Sequence, residues 1–168
     1  MYDDIRGWWW YGDDCSDTSE KKVDVMLNFN NSEGNNLGIP LPKGTVRVFT
    51  NDKAGKLQFI GEDSIDHTPK DETISLFIGQ AFDIVGERKQ RDFSKYADWY
   101  EYEWEVNLRN HKDADIVVTV LERTRGDWDI IDENYGHTKG SNNEIEWQVP
   151  LKANGESTLT YTIRYKRW

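Results

Sequence analysis

The C-terminal stretch keeps a period of two, with Ser157, Leu159, Tyr161, Ile163 and Tyr165 on one side and Thr158, Thr160, Thr162, Arg164 and Lys166 on the other. Successive side chains of a strand point to opposite faces, so this rhythm predicts a long strand with one face in a core and one in water. The same alternation runs through Val23, Val25, Leu27 and Phe29, and through Ile145, Trp147 and Val149. Between Tyr100 and Arg109 it sets Tyr100, Tyr102, Trp104, Val106 and Leu108 against Glu101, Glu103, Glu105, Asn107 and Arg109. A face carrying three carboxylates is the wet one, which assigns the aromatic face to the core. Lys89, Arg91 or Arg88 is then expected to pair with these glutamates across a hairpin, each exposed pair contributing under ~1 kcal/mol.

Shorter β-rich runs occur at residues 45–50, 57–61, 73–78, 82–85, 116–121 and 128–131. Turn chemistry separates them: Asp52 to Gly55, Arg125-Gly126-Asp127, and Asn154-Gly155, which is expected to close a hairpin between 145–149 and 157–165. Ile39-Pro40-Leu41-Pro42 is extended and unable to continue a central ladder. No helical stripe is sustained, although Phe93 to Tyr96 fits one turn. These elements predict an all-β fold, an immunoglobulin-like antiparallel β-sandwich of about nine or ten strands, with a closed barrel as the lesser option.

Composition narrows the function classes. At ~150 residues per domain, 168 residues suggest one domain. Residues 23–168 are read as that domain, and residues 1–22 as an aromatic, acidic segment serving as edge strand, interface or linker. The first twenty residues hold six acids against Arg6, a net −5 and half of the chain's −10. This sign is wrong for gripping phosphate backbones or anionic membranes. The longest apolar run, Trp8 to Tyr11, is far short of the ~20 residues that span a bilayer. Cys15, the single cysteine, has no partner for a disulfide or a nucleophilic dyad. No cofactor is expected.

Two places hold candidate chemistry. Trp8, Trp9, Trp10 and Tyr11, beside Asp13 and Asp14, resemble a sugar-binding face, with rings for stacking and carboxylates to accept hydroxyl hydrogens. Because consecutive strand residues alternate, at most two of these rings share a platform, and an edge strand or partner interface is the plainer reading. Asp63, Asp66 and His67 cluster within five residues and, with Glu62, suit holding a metal or pairing a base with its orienter. A polar inter-strand loop is the plainer reading there too. No zinc-type spacing, phosphate-cradling glycine loop or serine elbow is present.

One ordered set of motifs goes further. Leu37-Gly38-Ile39-Pro40-Leu41-Pro42-Lys43-Gly44-Thr45-Val46-Arg47-Val48 is followed by Gly61-Glu62-Asp63 with His67-Thr68-Pro69. Gly79-Gln80-Ala81-Phe82-Asp83-Ile84-Val85-Gly86-Glu87-Arg88-Lys89 comes next, then Asn107-Leu108-Arg109-Asn110 and Gly126-Asp127-Trp128. Over roughly residues 23–168 this resembles the C-terminal domain of unknown function in bacterial proteins related to mucoidy inhibitor A. The resemblance implies the tail end of a longer exported, periplasmic or envelope-associated protein, with an immunoglobulin-like fold and no catalytic residues to carry over. It also implies a protein partner, the upstream region of the parent chain, with Met1 opening an excised piece. The expectation is a non-catalytic structural or protein-interaction module. A carbohydrate-binding module on the N-terminal aromatics, binding polysaccharide, is the alternative, and a hydrolase or metal site at Asp63, Asp66 and His67 is the third reading.

Overall fold

A computed structural model describes residues 5–8, 19–52, 54–140 and 143–167 of the chain. The strands are β1 Ile5–Trp8, β2 Ser19–Asn30, β3 Gly44–Asn51, β4 Leu57–Ile65, β5 Thr73–Lys95, β6 Trp99–Asn110, β7 Ile116–Arg123, β8 Trp128–Glu133, β9 His137–Lys139, β10 Glu144–Leu151 and β11 Glu156–Lys166. One 3-10 turn, Glu33–Asn35, is the only helical element among the described residues. The fold is all-β with antiparallel ladders. Strand order in the larger sheet is β8-β11-β6-β5-β2-β1-β7-β10-β9, and β3-β4 form a separate pair. The chain divides into two compact units, the first built from Asp24–Gln80 and the second chiefly from Ala81–Trp168.

In the first unit, β3 and β4 form the hairpin expected around Asp52, whose Oδ1 accepts from the backbone N–H of Ala54 and Lys56 at 2.9 Å. Asn31, fully buried just after β2, organises the loops. Its Nδ2 donates to the carbonyls of Ile39 and Pro69, both at 2.8 Å, and its Oδ1 accepts from Gly38 N–H at 3.0 Å. Gly38 has φ +87°, and a Cβ there would lie 2.8 Å from the Glu33 backbone nitrogen, so only glycine fits. The Pro-rich stretch and the His67-Thr68-Pro69 segment are thereby drawn together, with Leu41 bridging Thr68.

In the second unit the sheet curls, so that β10 and β11, far apart in its strand order, meet across a core. Trp147 of β10 stacks on Tyr161 of β11 with ring centroids 4.5 Å apart. Leu159, Ile163, Val106, Leu108 and Val149 are essentially inaccessible, each stabilising the fold by ~1.5–3 kcal/mol relative to exposure. Alternation in β6 places Trp104, Val106 and Leu108 inside and leaves Glu103 exposed, as the sequence rhythm requires.

Four features depart from the sequence reading. The Asn154-Gly155 turn has the expected left-handed Asn154, φ 53°, but β10 and β11 do not pair. β10 pairs with β7 and β9, and β11 with β6 and β8, so the turn joins strands far apart in the sheet order rather than closing a hairpin. Second, the runs at 73–78 and 82–85 belong to one 23-residue strand, β5, which continues through the segment read as a helical turn at Phe93. Its polar stretch Glu87 to Asp92 hides strand character that pairing with β6 supplies. Third, β1 lies between β2 and β7 in the sheet order and is not an edge strand. Finally, β2 runs from Ser19, straight across the boundary read at residue 22.

Candidate functional site

Asp63, Asp66 and His67 are placed in the first unit, at the end of β4 and just after it, and each serves backbone. Asp63 Oδ2 accepts from Phe77 N–H of β5 at 2.7 Å, and Oδ1 from Ser64 N–H at 2.7 Å. Asp66 Oδ1 caps the N–H of His67 at 2.9 Å, and His67 Nδ1 accepts from Lys43 N–H at 3.3 Å. No hydrogen bond joins any two of these three side chains, and the ring nitrogen a base would use is occupied by an amide. His67 lines a shallow cleft with Pro40, Leu41, Pro42 and Thr68, which neither carboxylate lines. No group of three or more His, Cys, Asp or Glu suited to a metal occurs among the described residues. The arrangement braces a loop.

Of the N-terminal aromatics, Trp9, Trp10 and Tyr11 lie outside the described residues, and Trp8 closes β1 in its backbone only. The structure therefore places no ring of that segment.

The second unit contains a polar network that the sequence reading missed. Arg88 of β5 points inward, its Nη2 2.8 Å from Glu122 Oε2 of β7 and 2.9 Å from the Tyr161 hydroxyl. Tyr161 in turn donates to Glu122 Oε2 at 3.0 Å, and the Arg88 guanidinium lies 3.7 Å over the Trp104 ring. Glu122 Oε1 is buried with no hydrogen-bond partner among the described residues. Burial opposes the Arg88 charge, but Tyr161 and Glu122 outweigh it and raise its pKa. Burial pushes the Tyr161 phenol well above its ordinary value, keeping it a donor.

Arg88 continues the buried alternation of Ile84 and Gly86, and a bulge follows it. Gln90 opposes Trp104 but Asp92 opposes Glu103, leaving Arg91 as the extra residue. Arg88, opposite buried Val106, and Phe93, opposite Tyr102, then share one face of the sheet, where Arg88 is buried and Phe93, 4.9 Å from the Tyr102 ring, stays 42% exposed. Arg91 takes the outward pairing with Glu105 expected of this group, and its hydrogen bond holds the Glu105 carboxyl below the usual range. The expectation that Arg88 shares that outer face is corrected by the inward pair.

A second cluster fastens β8 to β9 and β10. Glu133 Oε2 accepts from the Trp147 indole N–H at 2.7 Å, and both its oxygens lie 3.0 Å from His137 Nδ1. His137 is flanked by the rings of Trp128 and Trp147. Nothing in the sequence around Glu133 announces the indole it meets.

Exposed apolar surface concentrates on the β3–β4 hairpin. Phe49 and Phe59 oppose each other and meet edge-on at 5.7 Å, yet they remain 50% and 55% exposed, with Leu57 at 65%. An unpaired Ile60 bulge sets this register, since Val48 opposes Gly61 and Phe49 opposes Phe59. In the second unit Phe82 is 94% exposed. No helix among the described residues is long and apolar enough to cross a membrane. No known family model, curated protein or solved structure matches the chain.

Proposed function

We propose that this chain is a non-catalytic protein-interaction module of a bacterial exported or envelope-associated protein, with an immunoglobulin-like β-sandwich, as its resemblance to mucoidy inhibitor A-like proteins implies. The curl of the antiparallel sheet, which lays Trp147 of β10 on Tyr161 of β11 across the core, supports the sandwich reading. One observation carries the function: the aromatic tip of the β3–β4 hairpin, where Phe49, Phe59 and Leu57 are at least half exposed on a two-stranded element. Contiguous exposed apolar surface of this kind marks protein contact sites, and aromatic residues dominate binding energy there. The side chains that looked reactive, Asp63, Asp66 and His67, hold backbone amides instead.

A photo-crosslinking residue at position 59, expressed in the native host, tests the reading. A discrete adduct with an envelope protein is expected from position 59 and not from exposed Gln148, and Phe49→Ser should abolish it. Absence of an adduct from position 59, or equal adducts from both positions, overturns the proposal.

A further inference from the structure

A groove of about 450 Å3 opens at one end of the second unit, within the ~300–1,000 Å3 span of ligand clefts. Two indoles line it. Trp99 begins β6 opposite Lys166, and Trp128 begins β8 opposite Tyr165, so they start the two strands that flank the end of β11. The backbone there is fixed by Lys166 N–H donating to the Asp127 carbonyl and Arg167 N–H to the Asp98 carbonyl, at 2.9 and 2.8 Å. The remaining wall is polar, with Asp127, Asp129 and Glu144 as acceptors and Lys139 and Asn143 as donors.

The charges in this wall are already balanced. Asp127 faces Lys166 at 3.9 Å, Asp129 faces Arg164 at 4.0 Å, and Glu144 faces Arg123 at 3.1 Å. Cations also rest on the rings, Lys139 at 4.9 Å from the Trp128 centroid and Arg164 at 4.8 Å from that of Trp99. An incoming anion meets three carboxylates, and an incoming cation competes with those in place. A neutral ligand that offers hydroxyls to the paired carboxylates and an apolar C–H face to the side of an indole away from its cation keeps both sets of contacts. Each carboxylate keeps lone pairs beyond its salt bridge, and an indole presents a large rigid surface at low entropic cost.

We propose that this groove binds a neutral saccharide, with Trp99 and Trp128 as the stacking surfaces and Asp127, Asp129 and Asn143 as the hydroxyl partners. The site is distinct from the aromatic hairpin, and neither proposal rests on the other.

The test is an NMR titration of the 15N-labelled full chain, following the assigned indole N–H signals. The probes are cellotriose, maltotriose and N-acetylchitotriose, with a trigalacturonate and a glucosamine trimer as charged comparators. At least one neutral trisaccharide is expected to shift the Trp99 and Trp128 signals saturably, with Kd at or below the mM range, about −4 kcal/mol. Trp99→Ala should weaken that binding about tenfold or more. Asp129→Asn, at a side chain 63% exposed, should weaken it as well. No saturable shift with any neutral probe up to about 10 mM, shifts confined to other indoles, or tighter binding of either charged trimer overturns the proposal. So does undiminished affinity in both folded variants.

Discussion

Arg88 Nη2 and Glu122 Oε2 lie 2.8 Å apart with both side chains under a tenth exposed, an ion pair sealed between β5 and β7. Taking two charges out of water is expensive, and their attraction with the Tyr161 hydrogen bonds offsets that cost only while both partners remain.

Removing one partner is therefore worse than removing both. Arg88→Met should cost about 3–5 kcal/mol, because it leaves a buried carboxylate without its cation. Arg88→Met combined with Glu122→Leu should recover most of that loss. Urea denaturation of the two single variants and the double variant measures the coupling, and additive losses would show that the pair does not act as a unit.

Glu133 supplies a pH dependence of defined sign. Burial pushes its pKa up, but hydrogen bonds from the Trp147 indole and from the His137 ring and backbone N–H outweigh this and leave it lowered. A carboxyl with a lowered folded-state pKa contributes stability that is present above its unfolded value and lost as pH falls through the folded one. The wild type should lose stability between about pH 5 and pH 3, and Glu133→Gln should flatten this part of the curve. Thermal melts across that range give the comparison.

Asn31 should be intolerant of its closest isostere. Asn31→Asp replaces two donors with acceptors facing the Ile39 and Pro69 carbonyls, so it should cost more than Asn31→Ala, which itself loses about 1–3 kcal/mol in unpaired buried groups. Amide exchange of Gly38 and Thr68 should accelerate in both variants before that of the second unit, where Asn110 plays a similar part with the Ala114 and Lys152 carbonyls.

Gly61 is a close-approach site. A Cβ there would sit 2.4 Å from the Ile78 carbonyl oxygen, where a rigid backbone cannot give way. Gly61→Ala should therefore displace β4 from β5 and destabilise by more than about 2 kcal/mol, visible as lost protection of the Phe77 amide that Asp63 now holds. An unchanged melting temperature would refute the packing account.

What the sequence shows of this fold follows one-face burial. β6 and β11 are half in water, so their alternation is legible residue by residue, and Trp104, Val106, Leu159 and Ile163 lie where the rhythm puts them. Register across a bulge is not legible, because the extra Arg91 reverses which residues face inward and nothing local marks it. Hence Arg88 reads as an outer-face cation, while its partner Glu122 looks like the solvated end of a short apolar run. Pairing of consecutive strands is equally hidden: Asn154-Gly155 fixes a turn, but whether the next strand lies beside the last or across the core depends on distant partners. The acid–histidine cluster shows the converse limit, since composition puts Asp63, Asp66 and His67 close together without revealing that amides claim them.

β8 and β9, the two margins of the larger sheet, share no ladder among the described residues and are joined by Glu133, His137 and the Trp128–Lys139 contact. Such a seam resembles a row of buttons rather than a weld. It can part while every neighbouring strand keeps its backbone bonds, so breathing of the shell should start there and spread no farther than β11 on one flank and β10 on the other.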